Sequence, residues 1–398
     1  MLAEADDQWK MAISERQVEL ATQTVGVGLM AAQSCSAVVR LRPEVNHVFP
    51  RLSEYARNVR AINSHARQKS PQLLRRAQAA LARAVGPERI ELIKESGGPV
   101  KIVSDAPLEL LPVDGLPLSL RYDTSRINAT PGNLLMGQLV SRDPITVLHE
   151  DLSHILVISS FESDDPLRDE MAKAVEALEK ARLGRFRIDF VRVSNADEFV
   201  EAINSSTAPI LVFDGHGALD GGNGVGGLKI GPQIIDIWSL RPRTHSPPIV
   251  VLSACDTHGL DAQTHATAGN SFIALGATTV LSTILPVGGS EGALFVYRLL
   301  LHLSDFVPAA IAREARALSW TEIMAGALRL TAAKDLIDHL ARRGVVEKQH
   351  GRELFHTALV AVLEGGPEWF ERFRGYRCRI YGRTAPTRGG DPCRDRVQ

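Results

Sequence analysis

From residue 151 onward the chain alternates between two textures. Short runs that are apolar on both faces give way to longer stretches with apolar residues on one helical face only. "HILVISS", "APILVFDGHG", "PPIVVLSAC" and "TTVLSTILPV" belong to the first kind, and "FRIDFVRV" is a strand of more mixed character. "PLRDEMAKAVEALEKARLG", "ADEFVEAINSS", "AGNSFIALGA" and "GGSEGALFVYRLLLHL" belong to the second. Apolar strands separated by amphipathic helices predict a mostly parallel sheet covered by helices on both faces. A short helix is also expected at "IIDIWSL".

The flanks read differently. Residues 1–100 predict a helical N-terminal region. "SPQLLRRAQAALARAVG" places Ser70 as an N-cap and Pro71 at the first helical position, with a stop at Gly86. "ERQVELATQTVGVGLMAAQSCSAVVRL" fits helix or strand, and no repeat of about 34 residues is found. "PVKIVSDAPLELLPVDGLPLSLRYDTSRINATPGN" reads as strands and turns. The working division is 1–100, then an α/β domain over 101–305, a C-terminal helical part over 306–370, and a basic, poorly packed tail over 371–398. That tail carries eight Arg against three acidic residues.

Composition narrows the function classes without choosing among them. The chain has 398 residues, 44% hydrophobic and 23% charged, with a formal net charge of −1, which gives no sign of a nucleic-acid partner. No uninterrupted apolar run approaches about 18 residues and the N-terminus lacks a signal-peptide pattern, so a cytoplasmic protein without a membrane span is expected. The four cysteines, Cys35, Cys255, Cys378 and Cys393, form no C-x-x-C pair and lie near no histidine cluster at zinc spacing. Neither a disulfide framework nor a structural metal site is expected. Cys35, in a stretch of small residues, reads as core, and Cys378 and Cys393 as inert. "GNGVGG" (Gly222, Gly224, Gly227) matches G-x-G-x-x-G, but "LKIGP" follows instead of a helix, so a dinucleotide site is not expected.

The chemistry sits at two strand ends. "FDGHG" puts His216 after one buried strand, and "LSACDTHG" puts Cys255 after the next. Successive parallel strands usually neighbour each other, which would bring both to adjacent tips at the carboxyl edge of the sheet. A cysteine attacks as its thiolate, and a histidine at the next tip can take the proton. Gly217 allows close backbone approach, so the amides of Gly217 and Cys255 are the candidate oxyanion hole. His258 lies three residues past Cys255 and ranks second as base. The blander reading treats Cys255 as core filler and "DGHG" as a turn.

These residues in this order, "LVFDGHG", a glycine-rich hairpin, "IVVLSACDTHG" and "AGNSFIALGATTVLSTILPV", resemble the CHAT domain, as does "LPLSLRYDTSRINATPGN" before them. The CHAT family groups with caspases, separases and gingipains as caspase-like cysteine peptidases. The resemblance implies a caspase-like α/β fold, a Cys255–His216 dyad hydrolysing a specific protein, and no cofactor. It further implies a bacterial antiviral or cell-suicide setting, with a gasdermin-like or other effector as substrate and activation by a protein or ligand partner. In the wider clan an acid near the first strand or beside the cysteine often receives a basic side chain, which makes Asp164, Asp165 and Asp256 substrate-binding candidates. Their alternative reading is helix-start and turn chemistry. His258 stands where the family has a small residue. Low basal activity is expected until the loops around 160–166, 218–232 and 286–291 are ordered. A scaffold with an unused dyad is the rival reading.

Overall fold

The computed structural model describes every residue except 1, 62–63, 131–134, 138–144, 183, 219–224, 260–266, 365 and 383–398; of the side chains of 2–6, 64–67, 348 and 376–382 nothing is said. The chain divides into two compact units. One comprises residues 1–96, 101–111 and 126–297, and the other comprises 97–100, 112–125 and 298–398.

The first unit begins with four helices, α1 (Leu2–Gln33), α2 (Phe49–Arg60), α3 (Ser64–Val85) and α4 (Pro87–Ser96). α2 and α3 bury Leu52, Ala56, Ala77 and Leu81, as their 3–4 residue apolar spacing requires. Two expectations are corrected here. α3 starts at Ser64, so Ser70 and Pro71 lie inside it and not at its cap. Cys35 is exposed, not core. α1 ends in a turn in which the Cys35 and Ser36 amides reach back to Ala32 and Ala31, and Cys35 takes φ 51° in that terminating turn.

The strands are β1 (Val100–Val103), β2 (Pro112–Val113), β3 (Leu116–Pro117), β4 (Thr124–Ile127), β5 (His154–Ser160), β6 (Arg187–Arg192), β7 (Ile210–Ala218), β8 (Gly227–Ile230), β9 (Gln233–Ile235), β10 (Ile249–Ser253) and β11 (Thr279–Leu281). The main sheet runs β11-β10-β7-β5-β6, all parallel, and β8 and β9 extend it antiparallel from the end of β7. The expected mostly parallel sheet is therefore present, preceded by a helical region. β7 and β10 are apolar on both faces because both faces are covered. Phe213 and Leu252 pair in register, and Phe199 and Phe272 pack into the same core. The Phe199 and Phe213 rings meet edge to face at 6.1 Å.

Two segments differ from expectation. "IIDIWSL" forms the end of β9 and a 3-10 turn, Ile237–Leu240, capped by the Asp236 carboxylate on the Trp238 amide. "TTVLSTILPV" is strand only through Leu281, and its second half is a loop whose Thr283 and Val287 bond to the turn after β10.

The second unit is built on the helices Trp320–Arg342, Lys348–Leu363 and Trp369–Gly382. The buried Arg329 guanidinium donates to the Leu120 and Arg121 carbonyls and pairs with Asp123 at 2.9 Å. Trp369 Nε1 also donates to Leu120 O. The segment from 371 is helical to Gly382 and buries Phe373; residues 383–398, with Cys393, lie outside the described residues. Among the described residues one helical run, Gly289–Glu314, is long and apolar enough to cross a membrane. Its Val296, Leu299, Leu300, Leu303 and Val307 are buried within the protein.

Truncating Phe213 to Ala removes a fully buried ring and should cost about 3–5 kcal/mol. Truncating exposed Leu92 should change stability by less than about 0.5 kcal/mol. Urea unfolding of the two variants checks the assignment.

Candidate active site

The parallel pairing of β7 with β10 sets Asp214 beside Ser253. His216 and Cys255 each lie two residues beyond that pair, on neighbouring strand ends. β7 does not stop at His216 but continues through Ala218, where it pairs with β8. The backbones come very close: a Cβ on Gly217 would lie 2.0 Å from the Cys255 carbonyl oxygen. Only glycine fits there.

The turn after β10 is held from several sides. Asp256, directly after the cysteine, has φ 53°, in the left-handed region that few non-glycine residues adopt. Thr283 Oγ1 donates to Ala254 O at 2.5 Å, and its amide donates to Thr257 Oγ1 at 2.9 Å. The His258 amide donates to Thr283 O at 2.9 Å. Cys255 is half-buried; its thiol donates to Val287 O at 3.2 Å, and the Val287 amide approaches the sulfur at 3.4 Å. The resting sulfur thus lies against the backbone of the 282–288 loop.

His216 is 39% exposed and meets Asp165 through Nε2 at 2.7 Å. Phe161 packs edge-on against its ring at 5.1 Å. Burial opposes ionisation of Asp165, but hydrogen bonds from His216 and the Leu167 amide outweigh it and lower its pKa. An ionised Asp165 accepts the Nε2 proton and leaves Nδ1 with the free lone pair. Beneath the pair, Asp214 is buried and accepts from Ser159 Oγ at 3.3 Å. Burial, with the Asp165 charge adding to it, raises the Asp214 pKa to about 7.

The other candidates fall in different places. Asp165, singled out for a substrate's basic side chain, faces His216 instead. Asp164 is exposed on the same loop. Asp256 is held by one edge of the Arg60 guanidinium, from Nε at 3.2 Å and from Nη2 at 2.5 Å. His258 is turned away from the cysteine's chemistry. Its Nε2 meets Asn128 Oδ1 at 3.0 Å and its Nδ1 meets Thr267 Oγ1 at 3.2 Å. Burial, with a contribution from the Arg126 guanidinium, lowers its pKa well below 6.5. It locks the turn to the 126–130 segment. Gly222 and Gly224 of the glycine loop lie outside the described residues, and Gly227 opens β8. Among the described residues no group of three or more His, Cys, Asp or Glu could hold a metal ion. A cavity of about 150 Å³ lies beside Phe161, lined also by Ser159, Arg168, Arg192 and Glu198.

The CHAT domain model matches residues 73–323, well over half of the chain. The protein belongs to the CHAT family. Nothing among curated proteins matches the chain, and no solved structure matches it either. The family match covers α3 from residue 73 onward, the whole main sheet and the 282–288 loop, and leaves α1 and α2 outside it. Membership carries a caspase-like peptidase fold, in agreement with the sheet described above.

Two consequences can be checked on this CHAT protein. Asp214 has a folded pKa above its ordinary value of 3.8, so its contribution to stability is complete below pH 3.8 and is lost as pH rises toward 7. Asp214→Asn should therefore stabilise the chain at pH 7.5, on the order of 1–4 kcal/mol, with the difference vanishing near pH 4 in urea unfolding. His258 has a lowered folded pKa, so its stabilisation is full above pH 6.5 and is lost as pH falls below that value. His258→Ala should cost about 2–3 kcal/mol at pH 7.5 and flatten this acid loss, whereas His216→Ala should leave stability within about 0.5 kcal/mol.

Proposed function

We propose that this CHAT protein is a cysteine endopeptidase with Cys255 as nucleophile, His216 as base and Asp165 as the group that orients the histidine. The observation that carries the reading is the 2.7 Å contact between Asp165 and His216 Nε2, at the strand tip beside the Cys255 strand. A histidine serving only to cap a strand needs no ionised carboxylate behind it. An imidazole that must receive a thiol proton gains both orientation and charge compensation from one.

The chemistry follows from that arrangement. His216 Nδ1 takes the proton from the Cys255 thiol, and the sulfur attacks the scissile carbonyl carbon. The Gly217 and Cys255 amides stabilise the oxyanion. The C–N bond breaks as His216 returns the proton to the leaving amine, giving a thioester. Water, deprotonated by His216, then releases the acid and restores the thiol. Val287 lies against the resting sulfur, so the 282–288 loop must shift before a substrate carbonyl can reach it. That fits low basal activity and activation by a protein or ligand partner. The substrate is a specific protein, a gasdermin-like or other effector in a bacterial, cytoplasmic defence or cell-death system. The same Val287 contact favours a second reading, a caspase-like interaction module whose dyad is unused.

Co-expression with genomic neighbours, followed by proteome-wide detection of new protein termini, separates the two. A fragment present with the unsubstituted chain and absent with Cys255→Ala or His216→Ala supports the peptidase. Asp165→Asn should lower the cleavage rate about 100- to 10,000-fold without abolishing it. If no fragment depends on Cys255 with every neighbour present, the interaction module stands instead.

A further inference from the structure

In α1 an apolar row recurs every seven residues: Met11, Val18 and Val25, which are 60%, 65% and 62% exposed. Ser14, Ala21 and Gly28 follow in step three positions later, so the two rows occupy the a and d positions of three heptads. Space above Gly28 is open, since a Cβ there would meet no atom within 4 Å. Leu29, 63% exposed, flanks the same seam. A contiguous apolar row on a helix marks a surface that packs against something.

The helix turns its other side to its own chain. Arg16 Nη2 donates to Thr130 Oγ1 at 2.5 Å and to Ala129 O at 3.3 Å, and buried Gln23 donates to Ala129 O at 3.3 Å. Positions 16 and 23 are the f positions of the same heptads, opposite the seam. Trp9, Ile13 and Leu20 are exposed as well, but lie toward the anchored side and off the seam. The helix is thus held by its back and presents the seam outward.

Charge selects the occupant. Lys10 and Glu15 stand at the g and e positions that border the first a and d residues. In a parallel pair of identical helices, each g position lies beside the e position five residues further along the other copy. Lys10, which also lies 3.5 Å from Asp7 of its own helix, would then meet Glu15 of the other copy, twice by symmetry. An antiparallel pair overlapping along the full helix gives neither residue a charged partner, because residues 20–33 carry no charge. We propose that α1 is a dimerisation helix, pairing with α1 of a second copy of this chain as a parallel two-stranded coiled coil over residues 10–29. The small d residues let the two backbones approach closely, and the short seam places the dimer in the micromolar range. The proposal does not rest on the peptidase reading.

Sedimentation velocity on the full chain at tens of micromolar should show a dimer. Val18→Glu with Val25→Glu, both at exposed positions, should leave a monomer whose circular dichroism is unchanged. Lys10→Glu alone and Glu15→Lys alone should each weaken self-association at least about fivefold. Mixing those two variants should restore it, since each supplies the charge the other lacks. Orientation is read with a short bismaleimide, because exposed Cys35 lies just beyond the end of α1. A parallel pair should give a link from Cys35 to Cys35 between copies that Cys35→Ser removes, whereas an antiparallel pair would hold the two thiols roughly 48 Å apart. A chain that stays monomeric at several hundred micromolar, a dimer indifferent to the two glutamates or to the charge exchange, or a dimer without the Cys35 link would each overturn the proposal.

Discussion

The site depends on one constraint: β7 and β10 are parallel neighbours in a register that sets Asp214 against Ser253. A shift of a single residue would invert the face of every side chain beyond the pairing. It would also destroy the fit of Gly217 against the Cys255 carbonyl, where no side chain can be accommodated. The register is protected by the core beneath it. Phe213, Leu252 and Phe272 are essentially fully buried, so slipping the strands would cost several kcal/mol of burial. The core packing and the candidate chemistry are thus the same structural fact seen at two ends of the strands.

Much of this was legible from local pattern. Fully apolar runs between amphipathic helices led to the parallel sheet, and the two strand-terminal motifs led to His216 and Cys255. The ends of elements were less legible. "TTVLSTILPV" has strand composition throughout, but Thr283 and Val287 bond to the 254–258 turn and leave the sheet. Pro71 looked like a helix start, yet α3 runs through it. Partnerships across long sequence separations were not legible at all. Local sequence reads Asp165 as a substrate-binding or helix-start residue, and its pairing with His216, 51 positions away, comes only with the fold. Arg60 on Asp256 and Asn128 on His258 are of the same kind, since nothing in local sequence distinguishes an arginine at a helix end that is solvated from one that is paired.

The electrostatics of the strand tips form a gradient with depth. Asp165, half-buried and hydrogen-bonded by His216 and the Leu167 amide, stays ionised. Asp214, two residues below His216 and buried with Ser159 its hydrogen-bond donor, has its pKa raised to about 7. Two ionised carboxylates repel, so below pH 7 the negative charge sits mainly on the carboxylate that faces the imidazole. His258 is neutral and locked away from this gradient, fastening the turn through Asn128 and Thr267, while His216 faces Asp165.

The central claim is that the imidazole of His216 activates the sulfur of Cys255. The most direct measurement is the rate of Cys255 alkylation by iodoacetamide at pH 7, read by mass spectrometry at that residue in the unsubstituted chain and in His216→Ala. The account requires the rate to fall about tenfold or more when the imidazole is removed. Equal rates in two equally folded proteins would contradict it.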